Sequence, residues 1–451
     1  MKNKSKVLLT IGVVVISVAI ICSMTLVYFS IKPDGQEYDE NWTWGVKLDP
    51  SGERVTTPGE ITTFASDGCY TWWTNALALR HVGKRDQTYL SYVNENGQMS
   101  LASFDHKTGE FAYNTLADYE KDDHNSAALT ILPNGKILAV YARHSADKFI
   151  RWRISDRVED ITSFGEEQTI KSSSNVTYIQ LHRISATEYR IFYRYATSKW
   201  STRIYNWVED TWTDEIVWLQ EPLTKQYYLW TQEDKEEGKI NVFMTAHPVN
   251  GPDQNIRYGY FDECGDIYTT GGKYLGNLDD KSSYVLTPRD FDVVYEAQEG
   301  EHTRLYDVSF MGDEVAVMYG VGLDDYNSKY YYAYYDDTRG EWVNNFICES
   351  GEAAVTGNMY FGGVSFDKKD MQTIYVSRRV SGFYQMEKWT TKDYGATWDT
   401  QEVIDVATDK SATLMRPIIP YNASDDIDVI YIKGLYPTYT TYNTDIVFYA
   451  D

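Results

Sequence analysis

Residues 122–145 read DDHNSAALTILPNGKILAVYARHS, and this stretch predicts the local structure from which the fold can be built up. Two apolar runs flank Pro133-Asn134-Gly135, and Asn-Gly between two such runs is a strong signal for a β-hairpin. His124 stands just before the first strand, and His144 stands just after the second. Because the two open ends of an antiparallel hairpin are neighbours, we expect both imidazoles to emerge together, away from the turn.

The same pattern recurs along the chain. Each copy has an apolar run, a polar turn, a second run of β-branched and aromatic residues, and a third strand that leads into an acidic turn closed by an aromatic residue. The second runs span residues 88–93, 137–141, 190–195, 240–245, 315–319, 373–377 and 428–432. Seven copies of a unit of about 50 residues predict an all-β seven-bladed β-propeller, with a sandwich of seven hairpins as the alternative.

The N-terminus has a different character. Three lysines in residues 1–6 precede a nearly unbroken apolar run, residues 7–31, which is long enough to span a bilayer as one helix. No Ala-x-Ala cleavage site follows, so we expect an uncleaved transmembrane anchor with the lysines in the cytoplasm. The predicted organisation continues with a stalk over residues 32–64 and an extracellular propeller over residues 65–451. Cleavage and secretion are the alternative.

The charge and the cysteines exclude several classes of function. The formal net charge is −24, and without the four lysines of residues 1–32 the remainder carries −28. So acidic a surface argues against binding nucleic acid or an anionic membrane surface. The three cysteines beyond the anchor are widely spaced and odd in number, so we expect neither a disulfide framework nor a cysteine-based metal site. We expect a monomer.

One turn carries a recognisable motif. Thr391-x-Asp393-x-Gly395-x-Thr397-Trp398 matches the Asp-box of bacterial neuraminidase (BNR) repeats, in which the polar side chains satisfy the backbone of a tight hairpin turn. Glycine there takes backbone angles that other residues resist, and the tryptophan packs between sheets. This motif is structural and supports the fold more than a function.

Further short matches occur in an order that resembles the BNR repeat-containing family over roughly residues 65–450. They are Asp122-Asp123-His124-Asn125, Leu132-Pro133-Asn134-Gly135-Lys136, Phe192-Tyr193-Arg194, Ala246-His247-Pro248 and Arg416-Pro417. The family includes ulvan lyases with seven-bladed propellers. The resemblance therefore implies an extracellular polysaccharide lyase that acts on a uronic-acid-containing chain.

The resemblance also implies roles for particular residues. His124 and His144 look like the active-site histidine pair of the family, and Arg203 looks like the arginine that neutralises the uronate carboxylate. The accompanying tyrosine is Tyr193 or Tyr189. In such lyases histidine and tyrosine act as base and acid on the C5 proton and the leaving oxygen.

Strand alternation in a propeller supports a common location for these residues. The starts of first strands, the ends of second strands and the starts of third strands share one face of the propeller. One mouth of the propeller should therefore be lined by His124, His144, the end of the second strand of blade three and the predicted start of its third strand at Arg203. His247, Arg194 and Arg416 are expected there as substrate-binding residues.

Each of these residues also has a structural interpretation. His124 could order a loop, and His144 could pair with Asp147. Arg203 could form a cross-strand ion pair with Glu188 or Asp210. Tyr193 could pack in the core, as could the tryptophans 72, 73 and 200, which could otherwise stack on sugars.

Two further expectations concern the charge of the mouth and its possible metal ligands. The acidic domain would repel an anionic glycan unless the mouth is locally basic, and that basicity is expected from Arg143, Arg151, Arg153, Arg194 and Arg203. No cofactor is required by the expected chemistry. A structural zinc or calcium ion is an option, and three histidines (124, 144 and 247) could hold zinc.

The leading hypothesis is a membrane-anchored extracellular polysaccharide lyase that uses β-elimination. A non-catalytic glycan-binding or adhesion propeller is the alternative. A sialidase-like hydrolase is a distant third, since no Arg-Ile-Pro motif stands at the entry of the propeller.

Overall fold

The protein was analysed as a computed structural model, which describes residues 55–234, 238–249, 251–280, 285–311, 314–423 and 425–451. The predicted anchor, residues 7–31, and most of the predicted stalk lie outside these ranges. Within them, no helix is both long enough and apolar enough to cross a membrane.

The described residues form seven antiparallel sheets, one per blade, which confirms the predicted seven-bladed propeller. Strand β1 is Ile61–Ala65, and blade one consists of β2 Ala78–Val82, β3 Asp86–Val93, β4 Gln98–Asp105 and β5 Phe111–Asp118. Blade two consists of β6 Ala128–Ile131, β7 Ile137–Tyr141, β8 Phe149–Ile154 and β9 Gln168–Lys171. Blade three consists of β10 Val176–Arg183, β11 Glu188–Tyr195, β12 Lys199–Asn206, β13 Thr211–Trp212 and β14 Ile216–Gln220.

The remaining blades follow the same order. Blade four consists of β15 Tyr227–Asp234, β16 Lys239–Ala246, β17 Ile256–Asp262, β18 Asp266–Tyr268, β19 Tyr274–Asn277 and β20 Asp292–Tyr295. Blade five consists of β21 His302–Met311, β22 Glu314–Gly322, β23 Ser328–Asp336 and β24 Glu341–Glu349. Blade six consists of β25 Gly363–Phe366, β26 Thr373–Val380, β27 Phe383–Thr390 and β28 Thr400–Val406, and blade seven of β29 Ala412–Ile418, β30 Val429–Thr438 and β31 Thr441–Tyr449. Two short 3₁₀ turns, Asp123–Asn125 and Pro288–Asp290, complete the elements.

All seven predicted second runs are second strands of blades, and the Asn-Gly hairpin that joins β6 to β7 is blade two. Its turn closes through the Gly135 N–H donating to the Leu132 carbonyl at 2.7 Å, with Gly135 at a φ of 78°. Strand β1 pairs with β31 on the outer edge of blade seven, so the two ends of the propeller close one sheet. Residues 61–64 therefore belong to the propeller, although they were predicted as the end of the stalk.

The Asp-box turn has the predicted construction. Thr391 Oγ1 donates to Asp393 at 2.8 Å and accepts the Gly395 N–H at 2.9 Å, and both the N–H and the hydroxyl of Thr397 donate to Asp393. Gly395 has a φ of +80°, a conformation that a side chain would strain. Trp398 packs edge-on against Trp389 at a ring separation of 5.4 Å, so this motif serves the blade itself.

The segment between β1 and β2 positions the candidate site. It contacts blades three, four and five: the Trp72 indole N–H donates to the Leu305 carbonyl of blade five, and Trp73 stacks on Tyr228 of blade four at 4.4 Å. Asn75 bonds the backbone of blades three and four. Because Trp72 and Trp73 are only 4% and 3% exposed, these aromatic side chains form part of the core of the propeller.

Candidate functional site

The two histidines of blade two lie face to face. Their rings stack with centroids 4.0 Å apart and planes within 8° of parallel. Tyr439, from the hairpin between β30 and β31, packs its ring edge-on against both imidazoles, at 5.1 Å from His124 and 5.9 Å from His144. The two imidazoles lie together, as their placement at the open end of the hairpin predicted, and the hairpin of blade seven adds Tyr439 to the same site.

Asp122 holds both histidines. Its Oδ1 accepts the Nδ1–H of His124 at 2.6 Å, and its Oδ2 lies 2.9 Å from Nδ1 of His144. Asp122 also caps the short 3₁₀ turn, since its side chain accepts the backbone N–H of His124. Each Nδ1 is engaged by this carboxylate, so each Nε2 is the ring nitrogen left for chemistry.

The two imidazoles differ in charge. Burial alone would lower the pKa of His124, but the carboxylates of Asp123 and Asp122 raise it to about 9, so His124 is an imidazolium at neutral pH. Burial and then the positive charge of His124 lower the pKa of His144, and the bond to Asp122 offsets them only in part. His144 is therefore neutral at neutral pH, and its Nε2 can accept a proton.

A tyrosine that sequence reasoning did not select completes the contact. The hydroxyl of Tyr178 in β10 lies 3.3 Å from Nε2 of His144. Tyr178 has a φ of 58° and sits in a bulge where the register between β10 and β11 shifts after Thr177. Such bulges redirect side chains and are frequent beside functional sites. Burial raises the pKa of Tyr178 well above its ordinary value, so the hydroxyl keeps its proton and is a donor.

Arg194 lies over this tyrosine. Its guanidinium carbon is 4.5 Å from the centroid of the Tyr178 ring and 5.5 Å from that of Tyr228. The side chain is 2% exposed, and its Nε and Nη1 have no hydrogen-bond partner. In the described part of the chain no carboxylate forms an ion pair with it. An isolated buried cation is costly, so the position favours an anionic ligand.

Tyr193 and Arg203, predicted as catalytic, are not part of this arrangement. Both turn toward Glu215: the Tyr193 hydroxyl donates to Glu215 Oε2 at 2.7 Å, and Arg203 Nη2 lies 4.0 Å from the same oxygen. Arg203 also donates to the Thr213 carbonyl at 2.6 Å. The expected position of Arg203 at the start of its strand is wrong, because β12 begins at Lys199 and Arg203 is the fifth residue of the strand.

The alternation of β11 explains this separation. Tyr189 and Tyr193 face blade two and belong to its hydrophobic cluster, whereas Arg194 faces the opposite side, toward blade four. Tyr189 is fully buried, with its hydroxyl 3.4 Å from the Ile131 carbonyl. Tyr189, Tyr193 and Arg203 therefore lie between blades two and three, with packing and hydrogen bonds of their own.

Arg416 reaches the site indirectly. Its guanidinium pairs with Asp123 at 2.6 Å, and Asp123 Oδ1 lies 2.8 Å from Nδ1 of His124. Arg416 also donates to the Tyr436 hydroxyl at 2.6 Å and to the Tyr70 carbonyl. Because both terminal nitrogens of its guanidinium donate within the protein and Asp123 balances its charge, Arg416 supports the histidine loop rather than binding substrate as predicted.

His247 lies at the other side of the mouth. Its ring is 5.7 Å from that of Tyr228, which also lies beneath Arg194. Burial, then Arg304, then Arg194 lower the pKa of His247 to about 3, so it is neutral and lies within range of both guanidinium groups. The expected placement of His247 in the mouth is consistent with these contacts.

The basic character of the mouth has a different source from the one expected. Arg143 pairs with Glu120 at 2.6 Å, and Arg151 pairs with Asp147 at the same distance. Arg153 donates to a backbone carbonyl of blade one. Of the five arginines expected to attract an anionic glycan, only Arg194 lies in the mouth without an acidic partner in the described chain.

Asp122, His124 and His144 are also potential metal ligands. Ligand atoms of Asp122, His124 and His144 all lie within 4.8 Å of one another. His247 does not join them, so the predicted three-histidine zinc site is not formed among the described residues. Both Nδ1 atoms bond to Asp122, which suits these residues to proton transfer through Nε2, whereas a metal held at the Nε2 atoms would leave those bonds in place.

Sequence reasoning did not select Asp122 or Tyr178, two residues that contact the histidine pair. Asp122 stands two residues before His124, a spacing that allows a cap and a histidine bond together. Tyr178 gives no such signal, because only the bulge in β10 directs it toward blade two.

Comparison with known proteins bears on the fold. A family model described as "BNR repeat-containing family member" matches residues 87–302. This match confirms the resemblance found in the sequence. No curated protein gives a match.

The propeller is also similar to solved structures. An ulvan lyase of polysaccharide lyase family PL25 superposes with a TM-score of 0.66 at 13% identity, over 86% of this chain and 95% of that chain. The structure of such a lyase bound to -[GlcA(1-4)Rha3S]- gives a TM-score of 0.65 at the same identity and coverage. The polysaccharide lyase Uly1 gives 0.53 at 13% identity, over 88% of this chain and 99% of that chain. At this level of identity these likenesses show the shared propeller fold.

Proposed function

We propose that this protein is a polysaccharide lyase that cleaves a uronate-containing glycan by β-elimination. The observation that carries the proposal is the contact between a neutral imidazole, His144, and a protonated phenol, Tyr178, beneath the unpaired guanidinium of Arg194. A proton acceptor, a proton donor and an anion-binding group are the three functions that β-elimination next to a carboxylate requires.

The carboxylate comes first in this scheme. The proton on C5 of a uronate is weakly acidic, and it becomes more acidic when the neighbouring carboxylate is neutralised. Arg194 can pair with that carboxylate, because no carboxylate of the described chain forms an ion pair with it and its Nε and Nη1 have no hydrogen-bond partner. This pairing stabilises the enolate-like state that forms when the C5 proton leaves. A pre-placed donor of this kind contributes on the order of 2.7–4 kcal/mol to lowering the barrier.

Two proton transfers follow. Nε2 of His144 takes the C5 proton, the electron pair forms the C4–C5 double bond, and the C4–O bond breaks. Tyr178 gives its proton to the departing oxygen. The protonated His144 then returns a proton to the Tyr178 oxygen across their 3.3 Å contact, which restores both groups. His124 remains an imidazolium and keeps His144 neutral through its charge.

The position of the acid beside the base favours one stereochemistry. Since His144 and Tyr178 contact each other, they approach the sugar from the same side. They therefore suit a uronate whose C5 hydrogen and C4 oxygen lie on the same face of the ring, as in D-glucuronate, and not one where they lie on opposite faces, as in L-iduronate. The similar lyase that is bound to a GlcA-containing chain agrees with this preference.

Turnover of a panel of uronate polysaccharides tests the proposal. Unsaturated products absorb near the ultraviolet edge, and the full-length protein is expected to produce them from at least one glucuronate polymer. His144→Ala, Tyr178→Phe and Arg194→Met should abolish the signal, whereas Tyr193→Phe should keep it. Binding of these polymers without any absorbing product would overturn the lyase proposal and favour the glycan-binding alternative.

We also propose that the propeller is displayed outside the cell on a single-pass membrane anchor. The support is the apolar run of residues 7–31 behind three lysines. Protease treatment of intact cells should remove the propeller from a membrane-bound protein. Recovery of the whole protein in the culture medium, or its protection from protease in intact cells, would contradict this topology.

A further inference from the structure

The hairpin of blade seven extends past blade one to the histidine loop of blade two. Strands β30 and β31 of this hairpin are joined by Tyr439 and Thr440. The Tyr442 hydroxyl donates to the Val93 carbonyl, at the end of β3 in blade one, at 3.2 Å. The Asp123 N–H of blade two donates to the Tyr439 carbonyl at 3.0 Å. These bonds to the backbone fix the tip of the hairpin beside the two histidines.

Tyr439 is the residue of this tip whose side chain contacts the histidine pair. Its ring stands at 86° to that of His124 and at 87° to that of His144, with centroids 5.1 Å and 5.9 Å away. The register between β30 and β31 shifts between Leu435 and Thr438, just before this residue, and such shifts redirect side chains. Blade seven therefore supplies one aromatic ring to the site.

The hydroxyl of Tyr439 forms no hydrogen bond with the described part of the chain. The side chain is partly exposed, so this hydroxyl is accessible to solvent. His144, which the ring contacts, is the more accessible of the two histidines, with 22% of its side chain exposed. The free hydroxyl therefore lies on the accessible side of the histidine pair, where a bound ligand can reach it.

Two other tyrosines of the same hairpin show the contrast. Tyr436 and Tyr442 are only 2% and 3% exposed, and both hydroxyls are bonded within the protein, to Asp123 and to the Val93 carbonyl. The fold accounts for their rings and for their hydroxyls. For Tyr439 the packing on the histidines accounts for the ring, which a phenylalanine would also provide. Its hydroxyl points to a partner from outside the described chain.

We propose that Tyr439 binds the glycan directly, through a hydrogen bond between its hydroxyl and a hydroxyl group of a sugar held against His144. A sugar hydroxyl suits this position because a phenol, like a sugar hydroxyl, can both donate and accept a hydrogen bond. This inference rests on the proposed function for the identity of the ligand as a glycan. It adds to the site a substrate-binding residue from a third blade.

Calorimetric titration with a panel of glucuronate tetrasaccharides tests the contact. Full-length protein with Tyr178→Phe serves as the background, so that the ligand is not consumed, and the tetrasaccharide that it binds most tightly is the probe. Adding Tyr439→Phe keeps the ring against the imidazoles and should weaken binding about 3–10-fold, the loss expected for one hydrogen bond between uncharged groups.

Tyr442→Phe is the matched control on the same hairpin. It removes a hydroxyl that is bonded within the protein, so adding it to the background should leave the affinity for the probe unchanged. Thermal unfolding of each variant confirms that it is folded. An equal loss of affinity in Tyr442→Phe and Tyr439→Phe would overturn a direct contact, because it would show that any change in the hairpin weakens binding.

Deoxygenated ligands identify the partner of Tyr439. Each tetrasaccharide of a second set lacks one hydroxyl group of the probe. One of them should bind the background protein more weakly and lose no further affinity when Tyr439→Phe is added, because the hydroxyl that Tyr439 contacts is already absent. An equal further loss with every deoxygenated ligand would overturn the assignment of the partner to a sugar hydroxyl.

The outcomes separate this contact from the proposed function. Equal affinities with and without Tyr439→Phe, together with turnover by the wild type, would overturn the contact and leave the lyase proposal in place. A loss of affinity confined to Tyr439→Phe, without turnover by the wild type, would support the contact and favour the glycan-binding alternative. No binding of any tetrasaccharide and no turnover would overturn both.

Discussion

Two regions of blades two and three contain the same kinds of side chain and differ in one partner. In the mouth, Tyr178 lies beneath Arg194, and no carboxylate pairs with that arginine among the described residues. Between the blades, Tyr193 lies near Arg203, and Glu215 contacts both. In the second region Glu215 of the protein balances the arginine. In the first region the arginine can pair with the carboxylate of a ligand. We infer the place of the substrate from the absence of a carboxylate partner for Arg194 among the described residues, since the residue types are the same in both regions.

The largest expected effect compares the two tyrosines. Tyr178→Phe removes the proposed acid, and loss of a general acid lowers kcat by about 10²–10⁴-fold. Tyr193→Phe removes one hydrogen bond to Glu215 and should lower the free energy of unfolding by about 1 kcal/mol with little change in kcat. Steady-state kinetics of the two variants measures the change in kcat, and their thermal unfolding measures the change in stability. Equal losses of kcat would remove the distinction between the regions.

The two arginines provide the next comparison. Arg194→Met should lower kcat by about 10²–10³-fold, because it removes the group that stabilises the developing charge. Arg203→Met should instead lower the free energy of unfolding by about 1–3 kcal/mol, since it removes the donor to the Thr213 carbonyl and the positive charge beside Glu215. A larger kinetic effect from Arg203 than from Arg194 would restore the original prediction from sequence.

The pH dependence of turnover sharpens the role of the histidines. His144 must be neutral to act as the base, and its pKa lies below its ordinary value. Activity should therefore persist through pH 6.5 and fall as the pH drops through the lowered pKa. His124→Gln removes the neighbouring positive charge, so the pKa of His144 rises and the acidic limb moves to higher pH. An acidic limb that stays in place or moves to lower pH in His124→Gln would contradict this coupling.

Stability should show a weaker, opposite dependence on pH. His124 has a pKa of about 9 in the folded protein, above its ordinary value of 6.5, because Asp123 and Asp122 outweigh the effect of burial. Its contribution to stability is fully present below pH 6.5 and is lost as the pH rises through about 9. Denaturant unfolding between pH 6.5 and 9.5 should show this loss in the wild type and a smaller one in His124→Gln. If the free energy of unfolding depends on pH equally in the wild type and in His124→Gln, the charge of His124 is not the cause of this loss.

The smallest effect is expected from chelators. If Asp122, His124 and His144 transfer and direct protons, dialysis against a strong chelator leaves kcat unchanged. Loss of activity that zinc or calcium restores would show that these three residues hold a metal, since their ligand atoms lie close enough together to do so.

The sequence contained most of the fold and half of the proposed site. Hairpin patterns and the Asp-box identify seven blades because period-two alternation and turn residues are local properties. The histidine pair followed for the same reason, since a hairpin brings its own two ends together. Arg194 was placed in the mouth with only a binding role.

The remaining errors come from non-local geometry. The choice between Arg194 and Arg203 depends on which residue starts β12 and on which face of β11 each side chain lies, and a one-residue shift exchanges the two faces. Tyr178 depends on a bulge that no sequence pattern announced. Arg416 looked available until its partner Asp123, 293 residues away in the chain, was in view.

A crystal structure of the Tyr178→Phe protein with a glucuronate tetrasaccharide tests the central claim most directly. The account predicts that the uronate carboxylate lies about 2.7–2.9 Å from the Arg194 guanidinium, with C5 facing Nε2 of His144. A tetrasaccharide bound away from the histidine pair, with Arg194 still unpaired, would contradict it.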